Sequence, residues 1–170
     1  MITISTNAKQ VAANIERRRR ELRVVMDRAL HEVGDEAIRQ YGRPVSTWSK
    51  KPKFEKMVDS RGDEYELLVG TDDKVFNWVD AGTGQAAGHG GKYPIKPHGP
   101  YPLRFMSGFH PKTTPGSLGA GQGGTFGTQQ YRRLVMHPGI KPRRFTEQVQ
   151  KKIDKIGRDV FRKRLRSWAK

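Results

Sequence analysis

The sequence predicts an α+β fold: a small, mainly antiparallel sheet packed on a long N-terminal helix and a C-terminal helix, with a long Gly/Pro-rich loop leaving the sheet. Three observations point there. Apolar residues recur three or four apart over two segments, residues 11–41 and 145–168, as one stripe on each of two amphipathic helices. Between them, residues 53–69 alternate apolar and polar side chains around a Ser60-Arg61-Gly62-Asp63 turn. Residues 81–130 hold 13 of the 19 Gly and 6 of the 10 Pro and no acidic residue, a composition that favours loop.

In chain order, Ile2 and Ile4 alternate with polar residues as in a short strand, and Asn7 with Gln10 can cap a following helix. Its stripe runs through Val11, Ile15, Leu22, Val25, Met26, Ala29, Leu30, Val33, Ala37, Ile38 and Tyr41, until Gly42 and Pro44 stop it. Residues 45–80 read as a strand region, with Lys53–Val58 and Tyr65–Val69 as a hairpin. Trp48 and Trp78 read as core or interface anchors. Leu103-Arg104-Phe105 makes a short strand within the long loop of 81–130, and the Gly-rich stretch at 107–127 reads as a flexible arm, mobile in the free protein and ordered by a neighbour. Residues 131–137 return to the sheet, and a helix starting at Arg144 or Phe145 closes the chain through residue 170. Its stripe is Phe145, Val149, Ile153, Ile156, Val160, Leu165 and Trp168. At 170 residues the whole is one domain, large enough to bury about 68–70% of its unfolded surface.

Charge is unevenly placed. The net +16 divides as +1 over residues 1–80, +4 over 81–130 and +11 over 131–170. Lys151, Lys152, Lys155, Arg158, Arg162 and Lys163 lie mainly off the C-terminal stripe, so folding does not account for them; they mark a contact with an acidic protein surface or with nucleic acid, against the plainer reading of a solvated face. The run Arg17–Arg20 is flanked by Glu16 and Glu21 and reads as a solvated face or subunit contact.

Little in the chain suggests catalysis. There is no Cys, hence no disulfide, thiolate metal site or cysteine nucleophile. Gly91-Lys92 fails the phosphate-loop pattern, because Ala86 stands where the first Gly is needed and Pro94 and Pro97 block a following helix. His31, His89, His98, His110 and His137 share no metal-ligand spacing. His137 is best placed, yet no carboxylate or nucleophile accompanies it in the pattern, and it reads as a residue whose ring fixes a turn through backbone hydrogen bonds. Asp80, before Ala81-Gly82-Thr83, reads as a capping or turn carboxylate. The expectation is no enzyme and no cofactor. Met1–Thr6 lacks a basic start followed by an apolar run, and no stretch approaches about 18 apolar residues, so neither a signal peptide nor a membrane span is expected.

Four ordered segments carry a family resemblance: Phe76-Asn77-Trp78-Val79-Asp80-Ala81-Gly82-Thr83; Tyr93-Pro94-Ile95-Lys96-Pro97-His98; Leu103-Arg104-Phe105; and Val135-Met136-His137-Pro138-Gly139-Ile140-Lys141-Pro142-Arg143-Arg144-Phe145. Over roughly residues 65–160 the chain resembles the head-to-tail joining proteins (neck or tail-completion proteins) of long-tailed bacteriophages. Asp80 stands where that family usually has Glu, and residues 107–127 are longer and richer in Gly. The resemblance implies a non-catalytic virion protein, made in the bacterial cytoplasm, that forms a sixfold or twelvefold homo-oligomeric ring in the neck or proximal tail. Its neighbours would be connector or head-closure proteins and tail-terminator or tail-tube proteins, with contact to packaged DNA. Asp80, Gly82, Thr83, His137, Pro138, Gly139, Pro142 and Phe145 are then signature turn residues of structural role. The rival reading from charge alone is a nucleic-acid-binding protein clamping phosphates with its C-terminal helix. A third, a basic nuclease or toxin using His137, lacks a second catalytic group.

Overall fold

The computed structural model describes residues 7–170 and has the expected α+β character. The strand expected at Ile2 and Ile4 lies outside the described residues. Helix α1, Ala8–Gly42, is 35 residues long, about 50 Å of helix. Asn7 stands at its N-cap position, but its side chain bonds the Gln10 side chain and not a backbone amide. At the other end Pro44, which lacks an N–H and is fully buried, follows the last turn. The buried residues of α1 all lie in its C-terminal part, Ala29, Leu30, Val33, Gly34, Ala37, Gln40 and Tyr41, whereas Val11 and Ile15 stay 56% and 61% exposed.

Strands β1, Glu55–Arg61, and β2, Glu64–Gly70, pair antiparallel around a tight turn at Gly62-Asp63, where Gly62 takes φ +66°. Period-two alternation sends Lys56, Val58, Tyr65, Leu67 and Val69 inward and leaves Glu55, Met57, Glu66 and Leu68 outside. Gly34 is where the helix meets this sheet, since a Cβ there would come within 2.9 Å of Lys56 and 3.1 Å of Leu67. The turn is tethered as well: Asp63 accepts from Arg19 at 2.8 Å and Arg23 at 3.2 Å. This absorbs part of the Arg17–Arg20 run, and the two guanidinium groups hold the Asp63 carboxyl below its ordinary range.

The strand region expected at 45–80 ends early, because residues 74–81 are helical. Helix α2, Lys74–Ala81, is capped by Asp73, whose side chain accepts from the Phe76 amide at 2.8 Å. Phe76 and Val79, three apart, face the core, while Trp78 is 56% exposed and does not anchor it. Trp48 does pack against the core.

The expectation of loop over 81–130 also requires correction. A short 3-10 turn at Gly84–Ala87 leads to β3, Tyr93–Ile95. Then β4, Leu103–His110, and β5, Gly124–Arg132, form a long antiparallel ribbon with an irregularity between Met106 and Gly108. The last strand is split: β5 stops at Arg132, and β6, Val135–His137, pairs instead with β3. The strands thus form three separate two-stranded antiparallel sheets, of which β1–β2 lies on α1. Helix α3, Phe145–Trp168, runs antiparallel along α1, as its contacts show: Arg164 donates to Glu32 at 2.8 Å, and the Arg18 guanidinium lies 5.5 Å from the centre of the Trp168 ring.

The core gathers Tyr41, Val45, Phe76, Leu118, Phe145 and Val149, with Phe54, Val69 and Ile153 around them. Four aromatic rings are its centre: Tyr41 stacks on Phe54 at 4.9 Å, Phe54 meets Phe76 edge-on at 5.1 Å, and Phe76 lies 5.8 Å from Phe145.

Leu118 in that cluster overturns the reading of 107–127 as a free arm. Leu118 and Thr113 are buried, the Lys112 ammonium donates to the Thr47 carbonyl at 2.7 Å, and the Gly121 amide donates to the Lys112 carbonyl at 2.6 Å. The buried leucine and these bonds favour the docked tip against its ordering entropy. Leu118→Ala is expected to lower the cost of opening the tip by about 2 kcal/mol, making the Gly121 amide exchange roughly thirtyfold faster. Equal hydrogen-exchange rates in the two proteins would mean that Leu118 does not hold the tip.

Candidate functional site

Two of the four segments that carry the family resemblance, residues 76–83 and 135–145, meet in one clasp, with Tyr93–Ile95 of a third paired beside it on β6. Residues 82–84 lie against residues 138–142: the Thr83 amide donates to the Ile140 carbonyl at 2.9 Å, and the Ile140 amide donates back to the Thr83 carbonyl at 3.1 Å and hydroxyl at 3.0 Å. The Ala86 amide adds a bond to the Pro138 carbonyl at 2.8 Å. Gly139 takes φ +95°, as the turn between Pro138 and the last helix requires, and a Cβ on it would collide with the Thr83 carbonyl. Gly82, at φ +76°, is equally enclosed, with a Cβ meeting the Ile140 carbonyl oxygen at 2.7 Å and the Pro142 nitrogen at 2.8 Å.

His137 closes the turn itself. Its Nδ1 accepts the Gly139 amide at 2.9 Å, the backbone role its position suggested, and its ring lies 5.5 Å from that of Tyr93 across the β3–β6 pair. With Nδ1 accepting, the neutral ring carries its proton on Nε2.

Asp80 is the hinge between clasp and helix. Its Oδ1 accepts from the Phe145 amide and, at 3.2 Å, from the Thr146 amide; Oδ2 accepts from the Thr146 hydroxyl at 2.6 Å. Its carbonyl also takes the Arg143 and Arg144 amides, each at 3.1 Å. A carboxylate at the last turn of α2 thus caps the first turn of α3, where orphan amides and the helix dipole favour an anion. The cap position, Arg144, is in the left-handed region at φ +55°. Sequence reading did not find this link, which joins residues 65 apart. All eight signature residues take part in the clasp or lie within its turn, and Phe145, 0% exposed, carries it into the core.

The six basic residues on α3 form a different surface. Lys151, Lys152, Lys155, Arg158, Arg162 and Lys163 are all exposed. Among the described residues only Arg162 of the six meets a carboxylate, Asp159 at 3.4 Å. Beside them, a groove between α1 and α3 is lined by Val33, Ile153, Gly157, Phe161 and Leu165. The ribbon is a third surface: Phe105, Phe109, Phe126 and Tyr131 are 39–66% exposed on it.

Among the described residues no group of three or more His, Asp or Glu side chains is placed to hold a metal ion. The histidines are dispersed: His31 lies 3.8 Å from Asp27, His110 stacks on Phe126 at 4.5 Å, and His137 serves the turn. No described helix is long and apolar enough to cross a membrane. Comparison with protein-family models, with curated proteins and with solved structures finds no match for the chain.

Proposed function

We propose that this is a structural virion protein of the phage neck, one copy of an oligomeric ring that joins head and tail or completes the tail, and that it has no catalytic activity. The observation that carries the reading is the clasp. The two segments that hold the eight signature residues, 80–83 and 137–145, meet from far apart in the chain at one point where turn, cap and helix start are fixed together. Each has a structural task there: Asp80 caps, Gly82 and Gly139 permit close backbone approach, and His137 closes the turn. The remaining surface suits assembly. The first turns of α1 expose Val11 and Ile15, the β4–β5 ribbon exposes aromatic rings, and α3 presents unpaired cations. Sixfold or twelvefold symmetry, head-closure and tail proteins as neighbours, and a place in the virion neck belong to this proposal.

Deleting the gene is expected to leave heads, filled or emptied, and separate tails that fail to join, as seen by electron microscopy of lysates. Normal joined particles from the deletion would overturn the reading. The nucleic-acid alternative rests on the unpaired cations of α3, and salt separates the two: a phosphate clamp binds isolated duplex with affinity falling steeply as salt rises, whereas a ring subunit needs no such affinity.

A further inference from the structure

Against a net charge of +16, residues 55–73 form an acidic island, with seven of the seventeen carboxylates against Lys56 and Arg61. Several are used within the chain. Asp63 is held by Arg19 and Arg23, Asp73 caps α2, Glu55 lies 2.7 Å from Lys53, and Asp59 lies 3.0 Å from Arg61. Glu64, Glu66 and Asp72 have no ion-pair partner among the described residues, and Glu64 and Glu66 point out from the face of β1–β2 turned away from α1. At the centre of that face Met57 and Leu68, direct cross-strand partners, are 58% and 48% exposed. An apolar pair with a net-acidic rim, in which Lys53 and Arg61 are taken up by Glu55 and Asp59, is the composition of a docking patch.

The α1–α3 groove is its complement. Gly157, with no side chain, opens the groove, and Arg158, Arg162 and Arg166 stand along it against a single carboxylate, Asp154. These arginines, four residues apart, make a row of about 12 Å. The stretch of sheet from Leu68 to Glu64 is about 13 Å, so an apolar pair and two carboxylates match an apolar groove and its row of cations in length and sign.

One chain cannot join these surfaces to each other. Val33 of α1 lies 3.9 Å from where a Cβ on Gly157 would be, while Gly34 meets the inner face of the sheet. Adjacent helix positions diverge by about 100°, so α3 and the sheet lie on different sides of α1, and the sheet's outer face turns away from the groove. The geometry points to a second copy as occupant: the outer face of β1–β2 on one subunit docks into the α1–α3 groove of the next, Met57 and Leu68 entering between Val33 and Phe161, Glu64 and Glu66 meeting the arginines. Two different patches make a heterologous contact, the kind that repeats head to tail and closes into a ring when its rotation permits. The contact deepens the ring reading and depends on it only for closure.

The test uses full-length protein, with mass measured by light scattering at low and high salt and folding checked by circular dichroism and melting. Wild-type protein is expected to self-associate at low salt. Arg158→Glu, Arg162→Glu and Arg166→Glu together should weaken association about a hundredfold, as should Glu64→Lys with Glu66→Lys, because like charges then face each other. All five substitutions lie at exposed positions and should leave melting nearly unchanged. Mixing the two variants should restore association, because the acidic sheet of one meets the unchanged groove of the other and the reversed sheet meets the reversed groove. Combining all five substitutions in one chain should restore it for the same reason. A monomeric wild type, or a five-fold variant that stays monomeric, overturns the contact. So does an arginine variant that loses binding to a short DNA duplex while its mass distribution matches wild type. These outcomes are independent of the deletion phenotype: joined particles without the gene would end the neck assignment and leave the contact standing.

Discussion

Gly139→Val is expected to destabilise the protein by more than about 3 kcal/mol and to misdirect α3, because two separate costs fall on one residue. The first is conformational. At φ +95° a β-branched side chain is forced out of every favourable region, a penalty of about 1–3 kcal/mol. The second is steric and falls on the backbone itself, since the new Cβ would collide with the Thr83 carbonyl. Relief requires Thr83 and Ile140 to separate, which breaks their reciprocal hydrogen bonds of 2.9 and 3.1 Å and leaves the groups unpaired. Gly90→Ala is the control: φ there is +77°, but nothing lies within 4 Å of the added carbon, so only the conformational cost of about 1 kcal/mol applies. Thermal melting of both variants measures the difference. A Gly139→Val protein that melts with wild type would mean that the turn is not held as described.

The clasp also shows what the sequence could and could not reveal. Each half was legible alone: Pro138-Gly139 and Pro142 announce a rigid turn, and an aspartate ahead of Ala81-Gly82-Thr83 announces a cap or turn. That Asp80 caps the helix beginning at Phe145 was not, since nothing local says which distant amides a carboxylate will meet. The two long helices were legible because their stripes repeat over many turns, and β1–β2 because one face is covered by α1, which enforces alternation. The β4–β5 ribbon was hidden for the converse reason. Phe105, Phe109, Phe126 and Tyr131 are exposed, so neither face needs to be apolar and no alternation marks the strands. Helix α2 was misread because Val75-Phe76-Asn77-Trp78-Val79 is β-branched and aromatic, the composition of a strand. Asp73 before that run was the signal for a helix, and Phe76 and Val79 three apart were its face. The docking of the 107–127 tip rests on one leucine among glycines, and no pattern distinguishes a lone Leu that finds the core from one that does not.

The second large effect is expected at Phe145, where the clasp and the core are the same residue. Its amide is the first donor to Asp80, and its ring, 0% exposed, lies 5.8 Å from Phe76 within the aromatic cluster that also joins α1 through Tyr41. Phe145→Ala keeps the amide and so leaves the cap intact, but empties the site where α1, α2 and α3 come together. Rigid backbone on the clasp side limits collapse into the vacancy, so transfer and cavity terms add, to roughly 3–5 kcal/mol and a melting temperature lower by about 10 °C. Trp78→Ala removes a larger ring that is 56% exposed and should cost much less, though it lies only two residues from Phe76. Asp80→Ala separates the remaining contribution, since it removes the side-chain cap and keeps the ring, at about 1–2 kcal/mol. Melting of the three variants should therefore rank Phe145→Ala lowest and Trp78→Ala nearest to wild type. A Phe145→Ala protein as stable as Trp78→Ala would show that α3 is anchored to the body elsewhere than through the Phe145 ring.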